Sequence, residues 1–88
     1  MTREDFEAAC ELVWKELCSA LEKWPGWPTD TVHAAAVVAE ESGELVQAAL
    51  DFEYSGGGRA HMIEESVQTA AMAIRFVNGI GGYRRGEH

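Results

Sequence analysis

Two short stretches of the sequence carry side-chain oxygen donors, and three of their glutamates could together hold a metal ion. Glu40, Glu41 and Glu44 lie in the first stretch, and Glu65 and Gln68 lie in the second. Both stretches stand among alanine and branched apolar residues, a composition typical of packed helices. Residues three apart on a helix share one face, so Glu41 with Glu44 predicts two carboxylates one turn apart. If the two helices pack, Glu65 joins them, and these acids repel one another unless a cation lies between them.

Magnesium is the cation that such a cluster predicts. It takes oxygen ligands, keeps several waters, and binds one or two carboxylates together with phosphate oxygens of a substrate. A bound ion could neutralise phosphates and activate an attacking water. The histidines His33, His61 and His88 lack the spacing of a zinc site. The competing interpretation is that the glutamates are solvated surface residues, but their apolar surroundings favour burial, and buried acids need partners.

Three helices must position these residues. The first is predicted over residues 2–23, with Thr2 and Asp5 as a capping box. The second begins after an N-cap at Thr29 or Asp30 and runs from Val32 to about Glu53. The third covers Arg59 to Asn78, with Gly79 as its C-terminal cap.

Each predicted helix has an apolar side, and the third also has a polar stripe. The stripe on the third helix comprises His61, Glu65, Gln68, Met72 and Arg75. The expected packed residues of the first helix are Phe6, Cys10, Val13, Leu17, Leu21 and Trp24, and those of the second are Val32, Ala35, Ala36, Ala39, Gly43, Val46 and Leu50.

Two segments outside the helices have unusual compositions. The loop from Trp24 to Pro28 holds two tryptophans, two prolines and a glycine. Trp24 and Trp27 either plug the end of a small core or form an aromatic wall for a flat ligand such as a nucleobase. Arg75 is a candidate phosphate contact. The glycine-rich tail at 79–88 is expected to be mobile.

Length and charge narrow the classes of function. The 88 residues predict one domain, residues 1–88, and the 47% apolar content exceeds what three helices alone would hide, so self-association is expected. A net charge of −8 without a basic patch argues against nucleic acid and against anionic membranes as partners. The N-terminus is acidic without an apolar leader, and Cys10 and Cys18 are too far apart on one helix to pair. We therefore expect a cytoplasmic protein with two buried thiols.

The acidic pattern resembles the signature of the MazG-like all-alpha nucleoside triphosphate pyrophosphatases, Glu-Glu-x-x-Glu followed after a gap by Glu-x-x-Asp. The match covers roughly residues 30–78, with Glu40-Glu41-Ser42-Gly43-Glu44 as the first half and Glu65-Ser66-Val67-Gln68 as the second. The resemblance implies an all-α bundle of three main helices completed by dimerisation or tetramerisation. It also implies magnesium-dependent hydrolysis of a nucleoside triphosphate to monophosphate and pyrophosphate, as in nucleotide-pool house-cleaning.

The resemblance assigns roles to individual residues. Glu41, Glu44 and Glu65 match metal-ligand positions, and Glu41 and Glu40 are the candidate catalytic acids. Glu40 points about 100° away from Glu41 on a helix and receives a supporting or acid–base role.

The chain departs from the family pattern at Gln68, where the family has aspartate. A glutamine carbonyl is a neutral, weaker ligand. Three hypotheses follow: an active pyrophosphatase, a nucleotide- or metal-binding module weakened by Gln68, or a structural helical oligomer whose acids are solvated.

Overall fold

The computed structural model describes residues 1–85, which fold into three packed helices with no strand. These are α1 (Arg3–Lys23), α2 (Thr31–Tyr54) and α3 (Arg59–Asn78), and a short 3-10 helix, Ile80–Gly82, follows. The predicted all-α class with three main helices is confirmed, and the helix ends agree to within a residue or two.

Local signals in the sequence explain where the helices begin. The Thr2 hydroxyl accepts a hydrogen bond from the Asp5 N–H, and the Asp5 carboxylate accepts one from the Thr2 N–H, so the capping box is formed. Of the two candidates for the second cap, Asp30 is the one used, and its carboxylate accepts from the His33 N–H. These bonds satisfy N–H groups that have no partner inside a helix.

The third helix is the centre of the bundle. α2 packs along α3 and α1 packs along another side of α3, whereas within the described chain no Cα atom of α1 lies within 8 Å of a Cα atom of α2. Three members of the polar stripe predicted on α3, Gln68, Met72 and Arg75, line the gap that results. The helices therefore enclose a cleft whose floor is α3 and whose walls are α1 and α2.

The core of the single chain is small, and it contains one leucine and four alanines. The buried apolar residues are Leu17, Ala20, Ala34, Ala48 and Ala71. Most of the stripe predicted to be packed on α1 is exposed, including Phe6 and Leu21, because α1 has only α3 as a neighbour. Cys10 and Cys18 are exposed as well, so the expectation of two buried thiols is wrong for this chain.

The helix α2 packs on the side opposite to the predicted one. Its buried alanines are Ala34 and Ala48, both facing α3. The side predicted to be packed lies outward and exposed in the single chain: Val32, Ala35, Ala36, Ala39, Gly43, Val46 and Leu50. We call this set the outer face of α2. Both sides of α2 are apolar, and periodicity alone did not distinguish the side that meets α3.

The start of the glycine-rich tail packs against the end of α3. The 3-10 helix turns the chain back, and the Tyr83 ring packs against Phe76 with ring centroids 4.9 Å apart. Residues 86–88, the end of the predicted tail, lie outside the described residues. Within residues 1–85, no helix is long and apolar enough to cross a membrane.

Candidate metal centre and adjoining cleft

The packing of α2 on α3 brings three glutamates together. Glu41 and Glu44 come from consecutive turns of α2 and Glu65 comes from α3, and one carboxylate oxygen of each lies within 4.8 Å of the others. We call these three residues the acid cluster. Glu65 is only 9% exposed, Glu41 is half-buried and Glu44 is exposed. The sequence prediction that these side chains converge is therefore matched by the structure.

Two oxygens of the acid cluster are buried without a hydrogen-bond partner. They are one Oε2 each of Glu41 and Glu65. Leaving a buried polar atom unsatisfied costs about 1–3 kcal/mol, and more when the atom is charged. Such atoms are rare in folded proteins, and an unseen ion is one of the standard explanations.

The electrostatics of the acid cluster are unfavourable in the absence of a cation. Burial is the main cause that raises the pKa of Glu41, followed by the negative charges of Glu44 and Glu65. Burial also raises the pKa of Glu65, and the charge of Glu44 adds to it. His61 Nδ1 lies 4.0 Å from Glu65 Oε1 and 3.9 Å from Glu64 Oε2, so a protonated His61 relieves the repulsion only in part.

The donor set fits a hard divalent cation. Three carboxylates supply oxygen ligands, and the exposed position of Glu44 leaves one side open to water or to another ligand. Magnesium is held in this way, by a few carboxylates and several exchangeable positions. A divalent cation among these carboxylates would offset most of their mutual repulsion.

A cleft of about 500 Å³ adjoins the acid cluster, and Glu41 belongs to both. Its volume is in the range of small-molecule sites. On α3 the cleft extends from Gln68 to Arg75, about 10 Å along the helix axis. Its lining consists of Glu16, Ser19, Ala20, Lys23, Trp24, Gly26, Trp27, Pro28, Val37, Glu41, Gln68, Met72 and Arg75. Gln68, at the position where the family pattern has aspartate, thus lines the same cleft as Glu41.

The opposite end of the cleft is built by the tryptophan loop and Arg75. One Arg75 Nη donates hydrogen bonds to the carbonyl oxygens of Trp24, at 2.9 Å, and Gly26, at 3.1 Å. The guanidinium also lies over the Trp27 ring, 4.8 Å from its centroid. Arg75 is only 7% exposed. This residue was predicted to contact phosphate, but its hydrogen bonds go to the loop carbonyls.

The two tryptophans of the loop have different environments. Trp27 is half-buried, and its indole N–H donates to the Tyr83 hydroxyl at 2.8 Å. Trp24 is 69% exposed and borders the cleft. The sequence left open whether the tryptophans plug the core or form an aromatic wall. Trp27 partly closes the end of the core, while Trp24 offers a free aromatic surface.

Sequence reasoning missed one residue that lines the cleft and one that supports it from behind, and one predicted residue lies apart. Glu16 on α1 lines the cleft, and its charge contributes to raising the pKa of Glu41. Tyr83 holds Trp27 across 56 positions of sequence, a contact that no local pattern indicates. Glu40 is exposed and lies outside both the acid cluster and the cleft lining.

Comparison with known proteins adds no family assignment. No protein-family model matches the chain, and searches of curated proteins and of solved structures give no significant match. The likeness to the MazG-like pyrophosphatases thus rests on the two short motifs alone.

Proposed function

We propose that this protein is a magnesium-dependent nucleoside triphosphate pyrophosphohydrolase, releasing a nucleoside monophosphate and pyrophosphate. The observation that carries the proposal is the acid cluster: three carboxylates from two helices, two of them with unpartnered buried oxygens, beside a cleft of about 500 Å³. Magnesium sites of phosphoryl-transfer enzymes use this combination of few carboxylates and open positions.

Each end of the cleft suits one part of a nucleotide. The acid cluster would hold the cation and, through it, the phosphate chain. The exposed ring of Trp24 and the accessible part of Trp27 suit stacking against a nucleobase about two helical turns away. Lys23 lies on the same wall as Trp24, and its ammonium group suits a phosphate or ribose oxygen.

A bound magnesium ion would supply charge neutralisation of the phosphates and activation of a water. The residues of the chain provide the placement. Glu41 and Glu65 are held by the packed interface of α2 and α3, so their carboxylates need little rearrangement on binding. Glu44, which is exposed, is the ligand free to adjust when phosphate arrives. Glu40 keeps its supporting acid–base role as a prediction, which Glu40→Gln tests.

A second candidate is a binding module that holds a nucleotide or metal without efficient turnover. Gln68 favours it, because a neutral amide at the acidic end of the cleft is a weaker ligand than the aspartate of the family pattern. Nucleotide-dependent stabilisation without hydrolysis would select this candidate.

We further propose that the chain self-associates as a homodimer or homotetramer. The outer face of α2 and the exposed apolar side chains of α1, such as Phe6 and Trp14, support this. A Cβ added at Gly43 meets open space within the chain, so Gly43→Ala should stabilise a lone chain by about 1 kcal/mol. Light scattering at the 9.6 kDa of one chain would contradict self-association.

The experiment that tests the enzymatic proposal is a product analysis. The protein is incubated with magnesium and a panel of canonical and modified nucleoside triphosphates, and the products are separated by chromatography. Monophosphate and pyrophosphate in equal amounts are expected. Glu65→Gln should abolish their release, whereas Glu64→Gln, a change at the adjacent exposed acid, should retain it. Failure to cleave any substrate, or release of diphosphate and phosphate, would refute the proposal.

A further inference from the structure

The hydroxyl of Tyr83 joins three separate parts of the chain. It accepts a hydrogen bond from the indole N–H of Trp27 at 2.8 Å and donates one to the carbonyl oxygen of Phe76 at 3.0 Å. Trp27 belongs to the loop between α1 and α2, Phe76 to the last turn of α3, and Tyr83 to the segment that follows it. Both hydrogen bonds are part-buried, so their loss is not fully replaced by water.

A glycine makes this contact possible. A Cβ at Gly79 would lie 2.9 Å from the Tyr83 hydroxyl oxygen and 3.1 Å from Cδ1 of Trp27. Gly79 has ordinary right-handed backbone angles, φ −84° and ψ −4°, so the backbone conformation alone does not require glycine there. Glycine is required at position 79 because Tyr83 and Trp27 approach the backbone too closely to leave room for a side chain.

The same indole is fixed from a second direction by α3. The Arg75 guanidinium lies 4.8 Å from the centre of the Trp27 ring. Arg75 and Tyr83 thus hold the ring and the N–H of one side chain, and the remaining surface of Trp27 borders the cleft. A rigid aromatic surface loses little conformational freedom when a flat ligand stacks on it.

We infer that Tyr83 is a positioning residue of the nucleotide site, which fixes Trp27 at the end of the cleft so that its indole can contact a nucleobase. This inference rests on the proposed function, and it adds the segment after α3 to the site. Tyr83 acts through Trp27 and does not itself line the cleft. It therefore controls base binding and leaves the acid cluster, at the other end, unaffected.

The test is Tyr83→Phe, which keeps the ring against Phe76 and removes the hydroxyl alone. Tyr54→Phe is the matched control, because Tyr54 is 80% exposed at the end of α2. Binding is measured by quenching of tryptophan fluorescence with deoxynucleoside triphosphates that carry a methylene group between the α and β phosphorus atoms. Acrylamide quenching reports the exposure of the indoles, and magnesium-induced stabilisation reports the acid cluster.

The loss of one hydrogen-bonded link should raise the nucleotide Kd and the KM about three- to tenfold, with kcat within about twofold. Acrylamide quenching should increase, and the magnesium response should stay as in the unmodified protein. In Gly79→Ala the Tyr83 hydroxyl is retained, but the added methyl group displaces the Tyr83 and Trp27 side chains. This variant should therefore have the same effect on binding.

Unchanged Kd in both Tyr83→Phe and Gly79→Ala would overturn the inference and leave the proposed function standing. So would equal losses of nucleotide binding and magnesium response, since these indicate general damage to the fold. If the unmodified protein binds none of the analogues, the proposed function fails, and the inference fails with it.

Discussion

The two ends of the cleft are both polar, but they differ in how their polar groups are satisfied. At the tryptophan end, the Arg75 guanidinium donates hydrogen bonds to two loop carbonyls and the Trp27 indole donates one to the Tyr83 hydroxyl, all at 2.8–3.1 Å. At the acidic end, Glu41 and Glu65 each leave a buried oxygen without a partner, and their charges repel. The polar groups at the tryptophan end are satisfied within the chain, whereas two buried carboxylate oxygens at the acidic end are not.

This difference separates residues that stabilise the fold from residues that serve binding. A satisfied buried network contributes to stability, and an unsatisfied one opposes it. Substitutions at the two ends should therefore change the free energy of unfolding in opposite directions. That contrast can be measured without knowing the substrate.

The largest expected effect is at the tryptophan end. Arg75→Met keeps an apolar chain of similar length but leaves the Trp24 and Gly26 carbonyls without their donor, so it should lower the free energy of unfolding by about 2 kcal/mol. Urea unfolding followed by circular dichroism measures this. Arg59→Met is the control, because Arg59 is exposed and only lies over the Phe52 ring, at 4.8 Å. Equal effects of the two changes would show that the loop contacts add no stability.

At the acidic end, a substitution should change the free energy of unfolding in the opposite direction. Glu65→Gln removes a buried charge that repels Glu44 and Glu41, so it should raise the free energy of unfolding of the metal-free protein by about 1 kcal/mol. The measurement is the same urea titration in a chelator. A loss of stability in Glu65→Gln would mean that the acid cluster is already compensated within the chain.

The pH dependence of stability provides a third test. Burial and like charges raise the pKa of Glu41 and Glu65 above the ordinary value of 4.5 in the folded state. The folded state then binds more protons than the unfolded state, so the contribution of this pair to stability rises as pH falls from neutral through the raised pKa toward 4.5. Thermal unfolding of the metal-free protein, compared with the double variant Glu41→Gln/Glu65→Gln, isolates that contribution. Parallel pH profiles for the two proteins would contradict the assigned shifts.

A smaller effect is expected at Gln68. Gln68→Asp adds a fourth acid beside Glu41, so it should reduce metal-free stability by a few tenths of a kcal/mol, about the size of a like-charge pair. If position 68 belongs to the metal shell, the same change should tighten magnesium binding several-fold, which calorimetric titration measures. Unchanged affinity would place Gln68 outside the shell.

The sequence predicted the helices and the acidic end better than the tryptophan end. Caps such as Thr2 and Asp30 are local signals, and Glu41, Glu44 and Glu65 follow from helical spacing once two helices pack. The partners of Trp27 do not follow in this way. Arg75 and Tyr83 reach it from distant positions, and a stripe that mixes acid, amide and base does not indicate which member turns inward.

The side on which α2 packs was also beyond sequence reasoning, for a related physical reason. α2 carries small apolar residues on both of its sides, so the side buried against α3 and the outer face have similar sequence patterns. Ala34 and Ala48 are buried, whereas Ala35 and Ala39 are exposed. The glycine-rich composition of the tail likewise did not indicate that Gly79 allows a close contact between Tyr83 and Trp27.

The acid cluster is proposed to be a divalent cation site, and a magnesium titration of thermal stability can show whether the folded protein binds the ion there. The melting temperature of the unmodified protein should rise with magnesium concentration and saturate, because a ligand that binds only the folded state stabilises it. Glu64→Gln should respond in the same way, and Glu65→Gln should start from a higher melting temperature and show no rise. A flat titration of the unmodified protein, or an equal rise in Glu65→Gln, would contradict the claim.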